Sequence, residues 1–193
     1  DEMLDAAGQF LTGEALGNVT LVKDDLFASQ LEPASFDLVH ARFQLAPLGR
    51  GDEQMATYLR LVRPGGVVVL EDVDPASLHF LPPAPACEEL LPLVVEAFRR
   101  AGGDPDAAVT HLRLFRSAGI EVHVRAEVQA LPPGHPYQRF ILQQSTALQG
   151  VLRSFVDPQR LGELHKEAEQ EVDDHHRWGV TFTLIQSWGR LSA

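Results

Sequence analysis

At 193 residues the chain is long enough for one globular domain with a sizeable core. A composition of 45% hydrophobic and 22% charged residues is that of a folded domain, and the net charge of −11 excludes nucleic acid as the main partner, since no Lys/Arg stripe could neutralise phosphates. No apolar run approaches the roughly 18–20 residues that span a bilayer, no signal peptide is visible, and the single Cys87 excludes an internal disulfide, so no membrane partner and a cytoplasmic location are expected.

The sequence opens in a helical pattern. Met3, Leu4, Ala7, Phe10 and Leu11 recur at helical spacing, with Asp1 and Glu2 at the dipole-favourable end. Gly13 and Gly17 mark a turn before Val19-Thr20-Leu21-Val22, which reads as a short buried strand. Phe36 to His40 is a second strand, followed by a loop to Gly51. Asp52 is expected to cap a helix with Met55, Leu59 and Val62 on one face, ended by Pro64-Gly65-Gly66. Val67-Val68-Val69-Leu70 is the strongest strand, its β-branched run predicting burial on both faces. Glu71-Asp72-Val73-Asp74 then reads as an acidic, solvent-facing tip.

Beyond the prolines at 82–85, helices are predicted over Cys87–Ala101 and near Pro105–Ala118. Ile120 to Leu131 alternates as an edge strand. Two long helices, about Pro136–Phe155 and Pro158–His176, precede a final strand from Val180 to Trp188. Alternating strands and helices imply a layered α/β domain with helices on both sheet faces. The chain is read as one domain over 1–193, with helical regions 82–118 and 136–176 as candidate caps over a substrate site.

Several segments together resemble a known family. Val19 to Leu26 and Phe36 to Val39 look like the third and fourth strands of the class I S-adenosylmethionine-dependent methyltransferases. Leu59-Arg60-Leu61-Val62-Arg63-Pro64-Gly65-Gly66 running into Val67 to Asp72 is similar to their helix, Pro-Gly-Gly turn and fifth strand. Trp178 to Arg190 resembles the seventh strand, which inserts antiparallel beside the sixth. The resemblance implies a Rossmann-like sheet, mostly parallel with an antiparallel last strand, and S-adenosyl-L-methionine as cofactor.

By that resemblance Asp25 accepts a hydrogen bond from the adenine amine and the Leu26 backbone N–H meets a ring nitrogen, with Asp24 the neighbouring alternative. His40 and Phe43, past the fourth strand, fall where the family lines the methionine portion. This also suits the general rule that open α/β sheets bind ligands at strand carboxyl ends. The family's first strand, its Gly-x-Gly-x-Gly loop and the ribose-binding acid are not identifiable in the sequence. That departure predicts about 60–100 further N-terminal residues at common βα lengths. Without them, the unpaired sheet edge predicts a homo-oligomer or an exchanged segment.

Methyl transfer asks the protein chiefly to align a nucleophile with an electrophilic methyl and to exclude water. His suits removal of an acceptor proton near neutral pH, which singles out His40 and His79 as candidate catalytic groups, with His135 behind them in a turn. Asp173-Asp174-His175-His176 reads as a solvated helix end rather than a metal site, and Glu71, Asp72 and Asp74 are too clustered on one loop to argue for one, so no metal is expected. The expected function is methyl transfer to a small-molecule acceptor, such as a secondary metabolite. A non-catalytic methyltransferase-like protein-interaction module is the alternative. A nicotinamide-dependent oxidoreductase ranks behind both, since its Gly-x-Gly-x-x-Gly loop is absent too.

Overall fold

The computed structural model describes residues 2–192. Its main sheet has strand order β1-β2-β7-β4. Strand β1 (Phe36–Arg42) runs parallel to β2 (Val62–Asp74), whereas β7 (Thr183–Arg190) lies antiparallel to β2 on one side and to β4 (His123–Glu127) on the other. Three strands therefore share one direction, and β7 is inserted between two of them against it. A second, smaller antiparallel sheet holds β3 (His79–Leu81), β6 (Trp178–Val180) and β5 (Ala130–Leu131).

The strand period of two sorts β2 into faces. Val68 and Leu70 bury against helices α3 (Gly51–Leu61) and α5 (Ala107–Ser117), where Met55, Tyr58, Leu114 and Phe115 complete one core. A second core lies beneath α4 (Pro85–Arg100), α6 (Phe140–Ala147), α7 (Gln149–Leu152) and α8 (Pro158–Val172), around Leu90, Val94, Ile141, Leu152 and Leu164. Burying each such side chain stabilises by about 1.5–3 kcal/mol. Local chemistry fixes the ends. Pro158 occupies the first turn of α8 while the Asp157 carboxylate accepts from the Gln159 and Arg160 amides, and Glu171 of α8 caps the first amides of α4, Ala86 and Cys87, at 3.0 Å each.

Four expectations need correction. Val19–Val22 forms no strand; Val19, Leu21 and Val22 are exposed, and no neighbouring strand among the described residues pairs with them. The sequence showed apolar β-formers but could not show the missing partner. The acidic tip is not a loop: β2 continues through Asp74, and Glu71 and Asp72 are buried. Asp52 does not cap α3. Arg50, in the left-handed region at φ 54°, holds the cap position, and Asp52 instead pairs with Arg113 at 2.9 Å. The predicted strands at 120–131 and 180–188 and the predicted helix at 136–155 each break, because β5, β6 and a 3-10 turn at Pro136–Arg139 redirect the chain into the second sheet and into α6 and α7.

Helix α1 (Glu2–Gly13) forms where periodicity placed it, but none of its residues is buried. No helix among the described residues is long and apolar enough to cross a membrane.

Candidate functional site

The face of β2 that carries Val67 and Val69 also carries Glu71, which points away from α3 and α5. Its carboxylate gathers three partners from two neighbouring strands. His40 Nε2 lies at 3.2 Å and Arg42 Nε at 3.5 Å on β1, and the Gln186 side-chain amide donates from β7. The Glu71 carbonyl accepts from the Phe43 backbone N–H at 2.8 Å. Phe43 takes a left-handed φ of 55°, which turns the chain off the sheet, and its ring lies 4.9 Å from the Arg42 guanidinium. Arg42, Phe43, Glu71 and Gln186 border a polar shelf of about 480 Å³ that also meets Glu127, His135 and Tyr137. Burial raises the Tyr137 phenol, and the nearby Arg42 charge works against that rise.

An apolar cavity of about 240 Å³ lies beside the shelf, and Phe43 and Phe182 line both. Its walls are side chains of the second core together with Ala46 and Pro47 from the segment after β1. Phe140 meets Phe182 edge-on at 5.0 Å, and Tyr137 lies against both rings at 5.5 and 5.6 Å. Gln144 is the one polar side chain in the cavity wall.

Below this, the opposite face of β2 holds a buried polar group. Asp72 accepts the backbone amides of Leu45 and Ala46 at 3.3 and 3.4 Å and meets His111 Nε2 of α5 at 3.2 Å. The Gln54 side chain binds the Gly49 carbonyl at 2.6 Å and takes the Tyr58 hydroxyl at 2.7 Å. Burial, reinforced by the Asp72 charge, pushes the Tyr58 phenol well above its usual value. The segment forming the cavity's near wall, helix α2 (Leu45–Leu48), is thus fastened from beneath by side chains of β2 and α3.

The residues singled out by sequence fall in three places. Phe43 lines the shelf, and His40, outside its lining, is joined to it through Glu71. His79 is exposed on β3 and lines neither hollow. Asp25 is exposed and accepts the Phe27 amide at 2.9 Å, while Leu26 packs toward the sheet core with its carbonyl taking the Thr57 hydroxyl at 2.9 Å. Neighbouring Asp24 bonds Ser29 and the Gln30 amide, which hold its carboxyl below the usual range. Among the described residues no group of three His, Cys, Asp or Glu is placed to hold a metal ion. Sequence reasoning missed Glu71 as the meeting point, along with Gln186 and Phe182. Parity was the available signal, since Glu71 shares a face with Val67 and Val69 once the strand is allowed to continue.

Comparison with known proteins places this geometry. No family model matches the chain. In sequence it is 35% identical over 98 residues to methyltransferase str2 of Strobilurus tenacellus, and 30% identical over 103 residues to methyltransferase str3 of the same organism. These alignments take in 49% and 52% of the chain; it spans about a third of each relative, 35% and 36%. In structure, all of the chain superposes on 80% of BH2331 from Bacillus halodurans C-125, a protein provisionally assigned as a methyltransferase, with a TM-score of 0.60 at 15% identity. YcgJ from Bacillus subtilis gives 0.58 at 13% identity with the same coverage. The fold is that of the class I methyltransferases. Within the methyltransferase fold the parallel pair β1–β2 carries the shelf at its carboxyl end, and β7 is the reversed strand that delivers Gln186 to it.

Proposed function

We propose that this protein transfers a methyl group from S-adenosylmethionine to a small-molecule acceptor. The observation that carries the reading is the shared wall. At the carboxyl ends of two parallel strands, Phe43 and Phe182 stand between a polar shelf and an apolar cavity. Open α/β sheets place ligands at this end. A charged donor and an uncharged acceptor need two such unlike environments side by side.

The residues present suit the cofactor. Asp25 offers an exposed carboxylate for an exocyclic amine, and the run from His40 to Phe43 presents polar groups and an aromatic ring beside the shelf. When bound, S-adenosylmethionine supplies the methyl on a sulfonium. The protein's work is to hold the acceptor in line and keep water out, which the aromatic wall and the apolar cavity suit. A proton leaving the acceptor passes to the Glu71 carboxylate at the shelf, which His40, Arg42 and Gln186 hold in place.

Titrating the folded chain calorimetrically with S-adenosylhomocysteine, the expected product, tests the reading. Saturable binding that weakens in Asp25→Ala supports it. A folded chain that takes up none of it contradicts the reading.

A further inference from the structure

The cavity behind Phe43 and Phe182 has a chemistry that narrows the acceptor, taking the methyltransferase reading as its basis. Its wall contains no Lys, Arg, His, Asp or Glu. Gln144, partly buried on α6, is the only side chain there with hydrogen-bonding atoms, one donor and one acceptor end. An ionised group placed among Val94, Phe98 and Phe140 would lose its hydration with no opposite charge to replace it, at a cost that excludes binding. An apolar cavity of about 150 Å³ accommodates a single benzene ring. At about 240 Å³, this one has room for a substituted ring or two fused rings.

We propose that the acceptor is an uncharged, ring-bearing molecule whose apolar body fills this cavity while one neutral oxygen or nitrogen meets Gln144. Anionic acceptors such as carboxylates and phosphate esters are rejected. So are primary ammonium compounds, because no carboxylate lines the cavity to replace their hydration. The selectivity lies in the wall of α4 and α6, outside the sheet that would bind the cofactor.

Two probes of matched size test this: 2-naphthol, neutral at pH 7, and 2-naphthoate, its anionic counterpart. In titrations of the chain, 2-naphthol is expected to bind saturably and 2-naphthoate at least tenfold more weakly. Val95→Phe, which fills the cavity from a partly exposed position on α4, should weaken 2-naphthol at least tenfold. Gln144→Leu should weaken it about threefold to tenfold, the share of one neutral hydrogen bond. Methyl NMR on the unaltered chain guards against a variant that fails to fold. Shifts on adding 2-naphthol should centre on Leu78, Leu91, Val94 and Ile141.

Equal binding of the two probes, or shifts centred elsewhere, overturns the proposal. S-adenosylhomocysteine titrated in parallel separates it from the reading beneath it. Uptake of that compound with no 2-naphthol binding removes the acceptor class and leaves the transferase standing. Binding of 2-naphthol alone upholds the cavity's selectivity and removes the transferase.

Discussion

Nε2 of His111 lies 3.2 Å from a carboxylate oxygen of Asp72, with side-chain exposures of only 1% and 2%. The pair joins α5 to the end of β2, and the same carboxylate holds the Leu45 and Ala46 amides. Leaving a buried carboxylate without its partner costs far more than an ordinary hydrogen bond is worth. His111→Ala should therefore destabilise the chain by about 3–5 kcal/mol in urea denaturation. Asp72→Asn, which keeps the shape and removes the charge, should cost about 1–3 kcal/mol. A double-mutant cycle should show coupling above about 0.5 kcal/mol; additive effects would mean the two residues act apart.

Two glycines should respond in opposite directions to the same change. Gly49 has φ +58°, and a Cβ there would sit 2.2 Å from the Gly102 carbonyl oxygen. Gly49→Ala is expected to cost at least about 2 kcal/mol, combining left-handed strain with a backbone clash. Gly162, inside α8, has open space where a Cβ would go. Gly162→Ala should stabilise by about 0.5–1 kcal/mol through helix propensity. Thermal unfolding of the two variants checks both signs.

Burial, aided by the Glu171 charge, pushes the Cys87 thiol up to about 12 from an ordinary value of 9.0. Between those values the native state keeps a proton that the unfolded chain has lost. This contribution to stability is thus intact below about pH 9 and declines as pH rises toward 12. Ellman's reagent at pH 8 should leave the native thiol almost untouched and react promptly in urea. Rapid native labelling would show that the α4–α8 contact opens readily.

Acid should weaken the fold through surface carboxylates. Arg113 holds Asp52 low, Arg50 holds Glu53 low, and Arg100 with Arg99 holds Glu96 low. As pH falls, the unfolded chain takes up these protons first, near 3.8 to 4.5, so the stabilisation present at neutral pH is lost below that range. The urea midpoint should be lower at pH 3 than at pH 6. The difference should shrink in high salt, because these pairs are exposed. A midpoint that does not move would show the pairs to be energetically idle.

The paired core of the sheet was legible in sequence because its signals are local: the Val67–Leu70 run and the helical spacing of Met55 and Leu59. Pro64-Gly65-Gly66, expected to end that helix, lies instead inside β2, which starts at Val62. Val19–Val22 misled because apolar β-formers indicate a strand only where a neighbour supplies hydrogen bonds. Glu71 and Asp72 looked like a solvated loop because charge was weighed above parity, although each carboxylate has strand or helix partners that accommodate its burial. The cavity had no sequence signature. Phe43, Phe98, Phe140 and Phe182 come from four separate stretches; by resemblance Phe43 is expected to face the cofactor, and nothing in the spacing of the other three marks a shared wall.

The cavity is bounded on one side by side chains of α4 and α6 and on the other by the Phe43–Pro47 segment, which is anchored to the sheet through Asp72. Its dimensions thus depend on how α4 and α6 meet that segment, more than on how well either is packed. A molecule lodged there touches both and acts as mortar between them. The width of such a gap can be retuned by shifting these helices against the segment, with neither interior rebuilt.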